Sequence, residues 1–62
     1  MDGLTDAGNI KAMDVIYYQG QWRQVLSVYR WNNMGYGYQV RFDLDNGTST
    51  CDFNERERIQ IC

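Results

Sequence analysis

Histidine and proline are both absent from this 62-residue chain, and lysine occurs once, at Lys11. The missing histidine removes the commonest general base and the commonest metal ligand. Two cysteines, Cys51 and Cys62, fall short of the roughly four ligands of a structural zinc site and of a disulfide framework. They read as free thiols in a reducing cytoplasm, with one bridge pinning the C-terminal strand as the alternative. No apolar run approaches the ~20 residues of a membrane span, and no charged-then-apolar leader opens the chain. A soluble, cytoplasmic protein without a membrane partner is expected. Six basic residues stand against eight acidic ones, a net charge of −2, which argues against strong sequence-independent binding to phosphate backbones.

What is present is a globular composition, with 44% hydrophobic and 23% charged residues, and a surplus of aromatics at 15%. A chain this short is one domain, and domains of this size bury only about 60% of their unfolded surface. Met1 to Gly8 is polar and aperiodic and reads as a flexible N-terminal arm, so the domain runs over residues 9–62. Asp14 to Gln19 has the β-branched and aromatic composition of a strand, Gly20-Gln21 signals a tight turn, and Trp22 to Trp31 reads as a long second strand. Ile16, Tyr18, Trp22, Val25 and Val28 share an inner face if one residue is bulged between Val25 and Val28.

Asn32 to Gly37 is rich in turn residues, and Tyr38 to Leu44 alternates Tyr38, Val40, Phe42 and Leu44 against Gln39, Arg41 and Asp43. Asp45-Asn46-Gly47 is a strong hairpin signal, because Asn-Gly supplies the positive φ angles of a two-residue turn. Thr48 to Phe53 is the returning strand, Asn54 to Arg58 one helical turn capped by Asn54, and Ile59 to Cys62 a last short strand. No segment sustains helical periodicity over ten residues. The expected fold is all-β: a small five-stranded SH3-like barrel with one short helical turn before the last strand.

The stretch Asn9-Ile-Lys-Ala-Met-Asp-Val-Ile-Tyr-Tyr-Gln-Gly-Gln-Trp-Arg-Gln-Val-Leu-Ser-Val28, with Cys51-Asp-Phe53 and Ile59, resembles the N-terminal domain of bacterial elongation factor P and the KOW- and Tudor-like barrels. The resemblance implies the barrel and not the translation role. That family carries a modifiable lysine between glycines, and here Gly35-Tyr36-Gly37 places tyrosine at that position. A second likeness, from Gly20-Gln21-Trp22 to Gly37-Tyr38-Gln39-Val40, is to plasmid-borne dihydrofolate reductases, tetrameric barrels with a shared pore. Their Val-Gln-Ile-Tyr strand is replaced in register by Thr50-Cys51-Asp52-Phe53, and Ile59-Gln60-Ile61 falls one strand too late. An oligomeric pore enzyme is therefore the remote alternative.

Catalysis without histidine would have to rest on carboxylates such as Asp43, Asp45 and Asp52, and like charges at a hairpin end are usually just solvated. No calcium-loop spacing and no glycine-rich phosphate cradle occurs. No catalytic residue, cofactor or metal is expected. The aromatics lead further. Phe42, Phe53, Tyr18 and Trp22 suffice for a small core, and Tyr17 must then point outward by alternation. Tyr29, Trp31, Tyr36 and Tyr38 exceed that need and gather at one end, with Arg30 and Asn33 at the rim. Clustered exposed aromatics beside arginine have the composition of binding hot spots. The bland alternative is a small cluster packed under the long loop. The expected function is a non-enzymatic binding module acting through protein contacts or self-association, suited to a mobile genetic element or an accessory gene. Two competing uses are stacking of single-stranded nucleic acid, helped by Arg23, Arg30 and Arg41, and a cation-binding aromatic cage with Asp43 or Asp45 neutralising the ligand.

Overall fold

The computed structural model describes residues 3–35 and 37–62. Six strands form one antiparallel sheet: β1 (Gly3–Asp6), β2 (Val15–Tyr18), β3 (Gln21–Asn32), β4 (Tyr38–Leu44), β5 (Phe53–Asn54) and β6 (Arg58–Ile61). Their spatial order is β1-β6-β2-β3-β4-β5. The all-β class is as expected, with six strands in place of five. The sheet does not close into a barrel, because its edges, β1 and the two-residue β5, do not pair with each other. A 3-10 turn, Ala7–Asn9, bridges them instead. The Ala7 N–H donates to the Glu57 carbonyl at 2.8 Å and the Gly8 N–H to the Glu55 carbonyl at 2.9 Å. A Cβ on Gly8 would stand 3.2 Å from Glu55, so glycine permits this approach.

The segment expected as a flexible arm therefore contains a strand and a buried residue. Polar β1 forms no core of its own but pairs with β6, Thr5 opposite Ile59, and leads into fully buried Ala7. The expected helical turn over Asn54–Arg58 is a tight reverse turn: the Glu57 N–H donates to the Asn54 carbonyl, and the Arg56 N–H to Asn54 Oδ1. Asn54 satisfies the turn locally, and the chain re-enters a strand at once. The one helical turn of the described residues lies before β2, not before the last strand.

The β2–β3 hairpin turns on Gln19-Gly20, with φ of 49° and 82°, the double left-handed geometry of a tight two-residue connection. This pairs Tyr18 with Gln21 and Tyr17 with Trp22. Val25 is buried, and Trp22 stands three residues before it with no bulge between them, so the two face opposite sides of the strand and Trp22 turns outward beside Tyr17. Trp22 is 40% exposed and meets Tyr17 edge to face, ring centroids 5.1 Å apart. Its expected core position is corrected.

β3 runs for twelve residues and serves both halves of the sheet. The register shift between Val25 and Ser27 is the expected bulge, and it bends the strand so that Val25 and Val28 both face the core. Val40, Phe42 and Leu44 alternate inward on β4 as expected and are buried with Ile16, Val25 and Ile59. The next hairpin has a three-residue loop, with Leu44 N–H donating to the Thr48 carbonyl and only Gly47 at positive φ. The returning chain makes a bridge at Ser49, leaves the ladder at Cys51-Asp52, and rejoins β4 through Phe53. Two residues thus oppose Arg41, so Thr50 and Phe53 both turn inward. Tyr18 joins this corner: its hydroxyl accepts from the Cys51 N–H, and its ring meets Phe53. Both thiols are free and exposed.

Candidate functional site

β3 and β4 pair Ser27 with Asp43, Tyr29 with Arg41, Trp31 with Gln39, and Asn32 with Tyr38. Because faces alternate, Tyr29 and Trp31 stand on the outer side with Arg41 and Asp43, whereas Arg30 and Tyr38 stand on the other. The expected cluster is therefore divided. On the outer side Tyr29, Trp31, Arg41, Asp43 and Ser49 line an open groove of about 530 Å³. Tyr29 is 52% exposed and Trp31 half-buried.

The groove's polar groups hold one another. The Arg41 guanidinium lies 5.8 Å from the Trp31 ring centroid, and its Nε donates to Asp52 Oδ1 at 3.0 Å. The β4–β5 bulge brings Asp52 within that reach. Asp43 Oδ1 accepts the Ser49 hydroxyl at 2.7 Å, on the single bridge between Asp43 and Ser49. The result is a pair of aromatic faces at one wall and pre-oriented hydrogen-bonding groups at the other.

At the far end of β3, the Arg30 guanidinium sits 5.2 Å above the Tyr38 ring and 2.9 Å from the Glu55 carboxylate. This stack closes the open end beside Gly8, so Arg30 and Tyr38 act as a lid on the fold rather than as part of the groove. Asn33 is exposed in the connecting loop, its N–H donating to the Gly37 carbonyl at 2.8 Å. Tyr36 lies outside the described residues.

The three arginines grouped for nucleic-acid stacking do not share a face. Arg23 lies on the inner side at the opposite end from Arg30, 3.9 Å from Asp45, and only Arg41 is on the outer side. Each stands beside a carboxylate. Asp43 and Asp45 likewise take different partners, a serine hydroxyl and an arginine, and do not converge.

Sequence reasoning assigned no site role to Ser49, treated Asp52 only as a candidate carboxylate, and gave Asp43 a part only as a candidate carboxylate or the counter-charge of a cation cage. Part of this was accessible: Tyr29 and Trp31 are two residues apart, so the intervening Arg30 had to face the other way. The Asp52 contribution depends on a bulge that no local composition announces, whereas Ser49 opposes Asp43 directly through the register of the hairpin. No protein-family model, curated protein or solved structure matches the chain. No helix among the described residues is long and apolar enough to cross a membrane.

Proposed function

We propose that this protein is a non-enzymatic binding module that recognises a partner protein through the outer face of β3 and β4. The observation that carries the reading is the groove itself. An exposed tyrosine and a half-buried tryptophan on one strand face, flanked by Arg41, are the residue types that dominate binding energy at protein interfaces. They sit on paired strands rather than on a loop, so little order has to be gained on binding. The SH3-like relationship belongs to the same proposal. Its support is connectivity: β2 to β5 run as consecutive neighbours, and β6 returns beside β2.

Charge favours protein over nucleic acid as the partner. Arg41 is neutralised by Asp52, and Asp43 adds a negative charge to the groove wall. A polyanion would meet that charge with no shared basic face to offset it. The test is affinity capture from the producing cells with wild type and Trp31→Ala, alongside titration of a fluorescent single-stranded oligonucleotide at low salt. A folded Trp31→Ala protein that loses the wild type's specific partner, with no oligonucleotide binding, is expected. Salt-sensitive oligonucleotide binding abolished by Trp31→Ala would transfer the groove to nucleic acid, and capture unchanged by the substitution would remove it from the function.

A further inference from the structure

The outer side of the other half of the sheet carries a second surface that the groove does not use. The register sets Leu4 opposite Gln60 and Tyr17 opposite Trp22, and the pairing of Ile16 with Ile61 brings Gln60 beside Tyr17. Leu4, Gln60, Tyr17 and Trp22 thus form one row across four strands. Leu4 is 63% exposed and Tyr17 43%. Met13 extends this face, its sulfur 3.9 Å from the outward Gln24 amide, and Leu26 projects from the bulge at its margin.

Among the described residues, no charged residue stands in this row, nor in the adjacent row of Cys62, Val15 and Gln24. At its border Arg58 is paired with Asp6 at 3.0 Å. That neutrality selects the occupant. A two-fold interface sets a surface patch against its own copy, so any unpaired charge near the axis meets a like charge. The Leu4–Trp22 row escapes this penalty, whereas the groove would set Asp43 against Asp43. Gln60 and Gln24 supply both donors and acceptors, which can pair with themselves across a two-fold axis.

We propose that a second copy of this chain packs on the face formed by Leu4, Met13, Tyr17, Trp22 and Leu26, giving a symmetric dimer with both grooves outward. A standard interface takes about 800 Å² from each partner. This is about a fifth of the protein's 4293 Å² surface, so the face engages as a whole, from Leu4 to Leu26. The association needs no occupant in the groove and stands apart from the partner-binding reading.

The test is sedimentation equilibrium of the full chain over roughly a hundredfold range of concentration, at low and high salt. Trp22→Glu places like charges across the two-fold interface, and Leu4→Glu does the same from a different strand should Trp22→Glu fail to fold. Expected is a wild-type dimer insensitive to salt, weakened at least about tenfold by either glutamate and unchanged in Trp31→Ala. A wild-type monomer at the highest concentration overturns the proposal. So does a dimer that survives the folded glutamate variants, or one that Trp31→Ala dissolves.

Discussion

Two tryptophans nine positions apart on β3 both face outward, and their surroundings differ in kind. Trp22 packs edge to face on Tyr17, in a row free of charge. Trp31 lies under the Arg41 guanidinium, which Asp52 fixes in place, beside a serine-bonded Asp43. The bulge between Val25 and Ser27 separates them. One strand thereby carries a neutral aromatic patch, the proposed dimer face, and a polar-edged groove, the proposed partner site. The difference comes less from the aromatic rings than from the strand opposite each: β2 offers a tyrosine, β4 an arginine and an aspartate.

Both surfaces rest on a single core, and the largest effect should show it. Phe42 is fully buried, opposite Val28 on the bent strand and 5.8 Å from the Phe53 ring. Phe42→Ala should destabilise the protein by about 3–5 kcal/mol, enough to unfold most of so small a domain. Chemical denaturation followed by tryptophan fluorescence should then show both tryptophans released together. Separate transitions would mean that the halves are independently stable.

A smaller change should separate the two surfaces. Thr50 is buried and fastens the bulged return strand, its Oγ1 accepting from the Phe42 N–H while its own N–H donates to the Phe42 carbonyl. Thr50→Val keeps the shape and removes the acceptor, which should cost about 1–3 kcal/mol by calorimetry. Because Ser49 and Asp52 hang on this segment, partner binding should fall while self-association holds. Equal loss of both would deny that the bulge serves the groove alone.

How far the sequence revealed this division depends on the kind of signal. The β4 alternation and the β3 bulge were legible because Val40, Phe42, Leu44, Val25 and Val28 must all reach one core. The facing of Trp22 could have been read the same way: it stands three residues before Val25 with no bulge between them, which sets the two on opposite faces. Strand β1 was hidden because it contributes little apolar burial and is held by backbone pairing to a segment more than fifty residues away. The groove was half legible. Tyr29 and Trp31 were evident, but Asp52 reaches Arg41 only because two residues oppose one across the β4–β5 bulge.

The finest test compares the couplings themselves. A double-mutant cycle on Tyr17 and Trp22 should give a favourable coupling of about 0.5–1.5 kcal/mol, as edge-to-face rings do beyond their burial. A cycle on Arg41 and Asp52 should give only about 0.2–1 kcal/mol, since both side chains are substantially exposed and water competes for the pair. Salt should reduce the second coupling and leave the first unchanged. Thermal unfolding of the single and double alanine variants at low and high salt would measure both. If the Arg41–Asp52 coupling proved the larger and resisted salt, the groove would be a rigid, desolvated element of the fold. A weak, screened pair leaves Arg41 free to exchange Asp52 for a partner's carboxylate at little cost, and that availability distinguishes a recognition surface from a structural one.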